Sequence, residues 1–138
     1  MAAYTFTAAE VKIVNGSAQQ AVAGEAIVAG EFLYLDAADG KQAKRAEADG
    51  TVEKAKVVGI ALNSAAENQP VLYSMGGEVT VQSGAFAAAG SPLVLSSSPG
   101  KAGDVSDMLG GNFLTVVAYT VATNRFRLAI NATGVQKA

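Results

Sequence analysis

The 138-residue sequence predicts an all-β fold: a jelly-roll-like β-sandwich or barrel of about eight to eleven short strands with pseudo-duplicated halves. Three observations predict it. Short β-branched and aromatic runs recur at near-regular spacing, divided by Gly, Pro, Asn and Asp. No segment carries the apolar period of an amphipathic helix, and the alanine-rich stretches are short and interrupted. The chain also repeats itself. Ala29-Gly30-Glu31-Phe32-Leu33-Tyr34-Leu35 with Gly40-Lys41 returns 60 positions later as Ala89-Gly90-Ser91-Pro92-Leu93-Val94-Leu95 with Gly100-Lys101. Val57-Val58-Gly59-Ile60-Ala61-Leu62 returns at an offset of 59 as Val116-Val117-Ala118-Tyr119-Thr120-Val121.

The elements follow in order. Val11, Ile13 and Val14 form a β-branched run closed by Asn15-Gly16, so residues 20–22 are expected to pair back as a hairpin. Residues 32–35 are apolar on both faces, as in a strand covered on both sides. Residues 36–40 form a turn, with Asp36 capping and Gly40 free to take positive φ. Residues 41–56 hold 8 of the 22 charged side chains, and residues 43–48 suit about one helical turn before Asp49-Gly50. This stretch reads as a solvated loop or as a polar contact patch. Val58, Ile60 and Leu62 alternate with Val57, Gly59 and Ala61, a strand with one large and one small face. Pro70 opens a strand through Tyr73, and Gly76-Gly77 predicts a two-residue hairpin into residues 78–82. In that strand Val79 and Val81 point inward. Residues 113–121 are expected to be the longest strand. After Thr123-Asn124, Phe126, Leu128 and Ile130 face one way, and Arg125 and Arg127 the other.

The length suits one compact domain, residues 24–138, with residues 1–23 as an N-terminal arm and first hairpin. Half the chain is apolar, but 28 of those residues are alanine, which adds little buried area. Such a lean core gains from burying further surface in an assembly. Net charge is −2 with 16% charged residues, so no strong field gathers nucleic acid or anionic lipid. No apolar run approaches the roughly 18 residues of a membrane span. The first residues lack the basic patch of a secretory signal.

The residue types narrow the chemistry. There is no histidine and no cysteine, so no Ser-His-Asp or Cys-His constellation and no thiolate metal site can form. Gly40-Lys41 and Gly100-Lys101 lack the glycine five positions before the lysine and the following Ser or Thr of a phosphate loop. Asp36 and Asp39 lack the remaining ligands of a calcium loop. The expectation is therefore no enzyme, no metal and no cofactor.

Val57-Val58-Gly59-Ile60-Ala61-Leu62-Asn63-Ser64-Ala65-Ala66, Gln69-Pro70-Val71 and Met75-Gly76-Gly77-Glu78-Val79-Thr80-Val81 resemble capsid cement (decoration) proteins of tailed bacteriophages. The strand ending at Leu95 and the closing Arg127-Leu128-Ala129-Ile130-Asn131-Ala132-Thr133-Gly134-Val135 are similar too, so the resemblance spans roughly residues 24–135. It implies a β-rich protein, made in the host cytoplasm, on the outer surface of the virion capsid. There it would bridge neighbouring copies of the major capsid protein and stabilise the mature shell. It also implies a homo-oligomer, a dimer at two-fold or a trimer at three-fold positions; the strands apolar on both faces and the sandwich reading slightly favour the isologous dimer. The weak net charge and the short apolar runs lead to the expectation of no nucleic-acid and no membrane partner. A β-rich adhesin or fibre-like module binding host-surface glycan is the alternative.

Six residues are the candidate contacts. Tyr4 and Phe6 alternate in a segment that reads either as a frayed terminus or as an arm docking on coat or partner. Phe32 and Tyr34 suit a subunit contact or the core. Arg125 and Arg127 suit coat carboxylates or a solvated face.

Overall fold

The structure, a computed structural model, describes residues 3–138, the side chain of Asp107 excepted; Met1 and Ala2 of the expected arm lie outside the described residues. Two antiparallel sheets stack as a β-sandwich and do not close into a barrel. The five-stranded sheet contains β2 (Ala18–Val22), β3 (Phe32–Asp36), β4 (Gln42–Arg45), β5 (Gly59–Ala61) and β6 (Pro70–Ser74), in the order β2-β6-β5-β3-β4. The six-stranded sheet contains β1 (Lys12–Ile13), β7 (Gly77–Thr80), β8 (Pro92–Leu95), β9 (Ala102–Asp104), β10 (Phe113–Ala122) and β11 (Arg125–Gln136), in the order β1-β7-β11-β10-β8-β9.

The sequence repeat is the sheet repeat. Each half builds one sheet, and β2 through β6 correspond to β7 through β11 in order and neighbours. The register is repeated as well. Phe32 faces Ile60 and Leu33 faces Gly59 in the first sheet; Pro92 faces Tyr119 and Leu93 faces Ala118 in the second. These are the same pairs displaced by 60 and 59 positions. Strand exchange between the sheets is confined to β1, which precedes the first repeat yet pairs with β7.

Both expected glycine hairpins are corrected. β1 and β2 lie in different sheets, and so do β6 and β7. Asn15-Gly16 and Gly76-Gly77 are corners at which the chain changes sheet, and the two corners lie against each other. Val14 N donates to Glu78 O at 2.8 Å, and Glu78 N donates to Asn15 Oδ1 at 2.9 Å. The expected helical turn at 43–48 is also corrected: residues 42–45 are strand β4, paired to β3 by the Asp36–Gly40 turn. Pairing to a ready edge outweighs alanine's weak intrinsic preference. That turn forms as expected, with Asp36 Oδ1 accepting from Ala38 N at 3.1 Å and Gly40 at φ 68°. β11, not β10, is the longest strand, with 12 residues against 10.

The two apolar faces of β3 enter two different cores. Phe32 and Tyr34 join Ile60, Val79, Leu93, Leu95, Val117 and Phe126 between the sheets. Leu33 enters a second cluster with Ala23, Ile27, Ala43, Ala61, Ala65, Val71 and Tyr73. This second core occupies the concave side of a curled five-stranded sheet, whose edges approach at a single bridge between Ala23 and Ala43. So tight a curl leaves room mainly for small side chains, and four of the eight residues are alanine. Fully burying one Phe, Leu or Ile contributes about 1.5–3 kcal/mol, so the main core supplies most of the stabilisation.

Candidate interaction surface

The N-terminal arm is folded onto its own domain. Phe6 stacks on Phe126 with ring centroids 5.6 Å apart, and meets Phe86 edge-on at 5.9 Å. Tyr4 meets Phe86 edge-on at 5.2 Å, and its hydroxyl donates to Asp104 Oδ1 at 2.8 Å. Phe32 touches the same cluster through Phe126 at 6.4 Å. The arm's backbone is gripped as well. Gln82 accepts from Thr7 N and donates to Thr5 O, both at 2.9 Å, while Tyr4 N donates to Ala102 O at 2.8 Å. A side-chain amide thus supplies the donor and acceptor that a neighbouring strand would have offered. Three of the six candidate residues, Tyr4, Phe6 and Phe32, belong to one aromatic cluster. Phe86 and Phe126 complete it.

Phe32 and Tyr34 are buried. Tyr34 borders a polar cleft of about 350 Å³ with Glu25, Asp36, Lys44, Arg45, Glu47 and Lys54. Burial, with the Asp36 carboxylate second, pushes the Tyr34 hydroxyl pKa up. Much of the charge-rich stretch is paired within the chain. Lys44 Nζ lies 2.9 Å from Asp36 and 2.8 Å from Asp39, Lys54 lies 3.0 Å from Glu47, and Arg45 lies 3.3 Å from Glu25. The hydrogen bonds of Lys44 raise its pKa and lower that of Asp36. No cluster of three or more potential metal ligands occurs among the described residues. No helix there is long and apolar enough to cross a membrane.

Arg125 and Arg127 project from the outer face of the six-stranded sheet. Both reach Glu78: Arg127 Nη2 donates to Oε2 at 2.8 Å, and Arg125 Nε approaches Oε1 at 3.2 Å. Glu78 is therefore held below the ordinary carboxylate range, mainly by the Arg127 hydrogen bond. Register then extends the row. Glu78 faces Arg127 across β7 and β11, and Arg127 faces Tyr119 across β11 and β10. Tyr119 is 44% exposed, with Val121 exposed two residues on along β10. Tyr119 is absent from the six sequence candidates because it sits in an apolar run. Its alternation with the buried Ala118 and Thr120 is the signal that places it outward.

The fold and surface define a duplicated β-sandwich carrying an aromatic and arginine row on an open sheet face. No family model matches the chain, and no curated protein matches it.

Proposed function

We propose that this chain is a structural virion protein that binds the outside of an assembled phage capsid. It bridges neighbouring major capsid subunits and stabilises the mature shell. The sequence resemblance to cement proteins motivates this reading. The structural observation that carries it is the Glu78–Arg127–Tyr119 row on the outer face of the six-stranded sheet. Tyr and Arg are the residue types that dominate binding energy at protein interfaces. Their backbone is fixed by paired strands and Glu78 already orients Arg127, which lowers the ordering cost of docking. A protein that binds only the mature shell stabilises that state by linkage, and many copies multiply a modest contact.

The glycan-binding alternative needs an aromatic face open to stack on sugar. The hollow of about 300 Å³ beside the arm offers none, since Phe86 is buried and the Tyr4 hydroxyl is engaged by Asp104, and the sheet face offers the one exposed ring of Tyr119. The decisive experiment compares capsids assembled with and without this protein. Shells carrying it should melt at higher temperature and retain DNA longer at low salt. Equal melting and equal retention would end the proposal.

A further inference from the structure

The polar cleft beside Tyr34 is explained neither by the fold nor by the outward row. Its volume of about 350 Å³ is at the small end of ligand pockets. The internal repeat supplies a comparison. Sixty positions after Tyr34, Arg45 and Lys54 stand Val94, Val105 and Leu114. β8 and β9 pair in the second half as β3 and β4 do in the first, so that strand pair forms without these polar groups. The cleft also holds more unused donors than unused acceptors. Tyr34 is 4% exposed; its ring lies in the main core, and its hydroxyl borders the cleft, where the charges of Asp36 and Lys54 act on it. That hydroxyl makes no hydrogen bond among the described residues. Burial, with Asp36 second, raises its pKa, so the proton stays on. Arg45 Nε is buried and likewise has no partner among the described residues. Lys54 Nζ uses one of its three protons, on Glu47 Oε1 at 3.0 Å. The acceptors are taken. Both oxygens of Glu25 accept from Arg45, through N at 2.8 Å and Nη2 at 3.3 Å. Both oxygens of Asp36 accept as well, from Ala38 N and Lys44 Nζ.

We infer that this cleft is a binding site for one carboxylate group, which accepts hydrogen bonds from the Tyr34 hydroxyl and Lys54 Nζ. A carboxylate offers two acceptor oxygens at a single negative charge, which matches two donors. The cations and carboxylates of the wall balance, so no net field opposes one negative charge. The second charge of a phosphate would meet Glu25, Asp36 and Glu47. The Arg45 guanidinium stands in the same wall and adds positive charge without having to touch the ligand. The carboxylate belongs either to a small organic acid or to an acidic side chain of a polypeptide. Tyr34 and Arg45 stand on the five-stranded sheet, and the Glu78–Arg127–Tyr119 row on the six-stranded one. The inference concerns the free protein, so its failure and the failure of shell binding are separate results.

The test follows the Tyr34 ring and Lys54 Nζ signals of the full chain by NMR. The protein is titrated with acetate, lactate or glutamate blocked at both ends, at constant ionic strength, with chloride as the reference anion. The acids should shift both signals to saturation where chloride does not. Tyr34→Phe keeps the ring and removes the donor, and should weaken binding by about fivefold or more; Lys54→Gln should do the same. Tighter binding of blocked glutamate assigns the carboxylate to a polypeptide side chain, and tighter binding of acetate or lactate assigns it to a free organic acid. Shifts no larger than those with chloride overturn the inference, because the cleft then takes only solvent and loose counterions. So does saturation that survives Tyr34→Phe, even where Lys54→Gln weakens it, since any exposed lysine attracts anions. Should Tyr34→Phe unfold, the wild-type ring decides: a Tyr34 signal that stays still while Lys54 shifts overturns the site.

Discussion

Gly77 faces the main-chain carbonyl of Asn15 so closely that a Cβ at position 77 would overlap its oxygen. The two residues are 62 positions apart and belong to the two corners where the chain changes sheet. Gly77 also has φ 94°, a conformation that costs other L-residues energy. Gly77→Ala should therefore destabilise through strain and overlap together, by about 2–4 kcal/mol in urea unfolding. The neighbouring Gly76→Ala meets open space and should stay within about 0.5 kcal/mol of wild type. Equal effects at the two positions would mean that the corner contact is unimportant.

The arm is held by Phe6 and by the amide of Gln82, and the two should act as a unit. Phe6 is half-buried, so Phe6→Ala should cost about 2 kcal/mol, roughly half the loss from a fully buried Phe. Gln82→Ala removes two backbone hydrogen bonds at the exposed arm and should cost about 1 kcal/mol. In the double variant the arm is already loose once either support has gone. The combined loss should fall short of the sum, and protease sensitivity before residue 8 should rise in each variant. Strict additivity would show that Gln82 and Phe6 hold separate things.

The repeat, the sandwich class and the two-sided burial of residues 32–34 were legible because they are written in local pattern. The corners were not. A Gly-Gly pair specifies backbone freedom, but whether the next strand pairs with the previous one depends on Asn15, far away in sequence. The second half of β11 was hidden for a similar reason. Residues 131–136 resemble a polar tail, and only their pairing with the start of β10 makes them a strand. On the surface, Arg125 and Arg127 were legible from alternation alone. Their carboxylate, Glu78, lies across a strand boundary that no spacing rule reaches.

Acid should weaken the fold through Glu78 and Asp36. Each carboxylate is held below its ordinary value, Glu78 by Arg127 and Asp36 by Lys44. A depressed folded pKa gives stability that is present above the unfolded value and lost as pH falls through the folded one. The melting temperature should therefore drop as pH falls from about 4.5, and Glu78→Gln should flatten that drop. Glu31 acts in the opposite sense. Burial raises its pKa, so its contribution is present at low pH and lost as pH rises through the raised value. The advantage of Glu31→Gln over wild type should be largest at neutral pH and close towards acid. An advantage that widens on acidification would contradict the assignment.

Shell binding should respond to the outward row more than stability does. Tyr119 and Arg127 are exposed, and neither side chain belongs to the main core. Tyr119→Ala should leave the melting temperature of the free protein nearly unchanged while lowering occupancy on purified expanded capsids by about tenfold or more. Arg127→Ala should lower occupancy similarly and make the remainder less salt-sensitive, since a charged contact has gone. Glu78 would keep Arg125 as a neighbour, so its burial is not left wholly uncompensated. A control at Val22, exposed on the other sheet, should bind normally as Val22→Thr. If Val22→Thr loses occupancy while Tyr119→Ala and Arg127→Ala keep it, the shell is met by the five-stranded sheet. The row on β7, β11 and β10 would then face solvent.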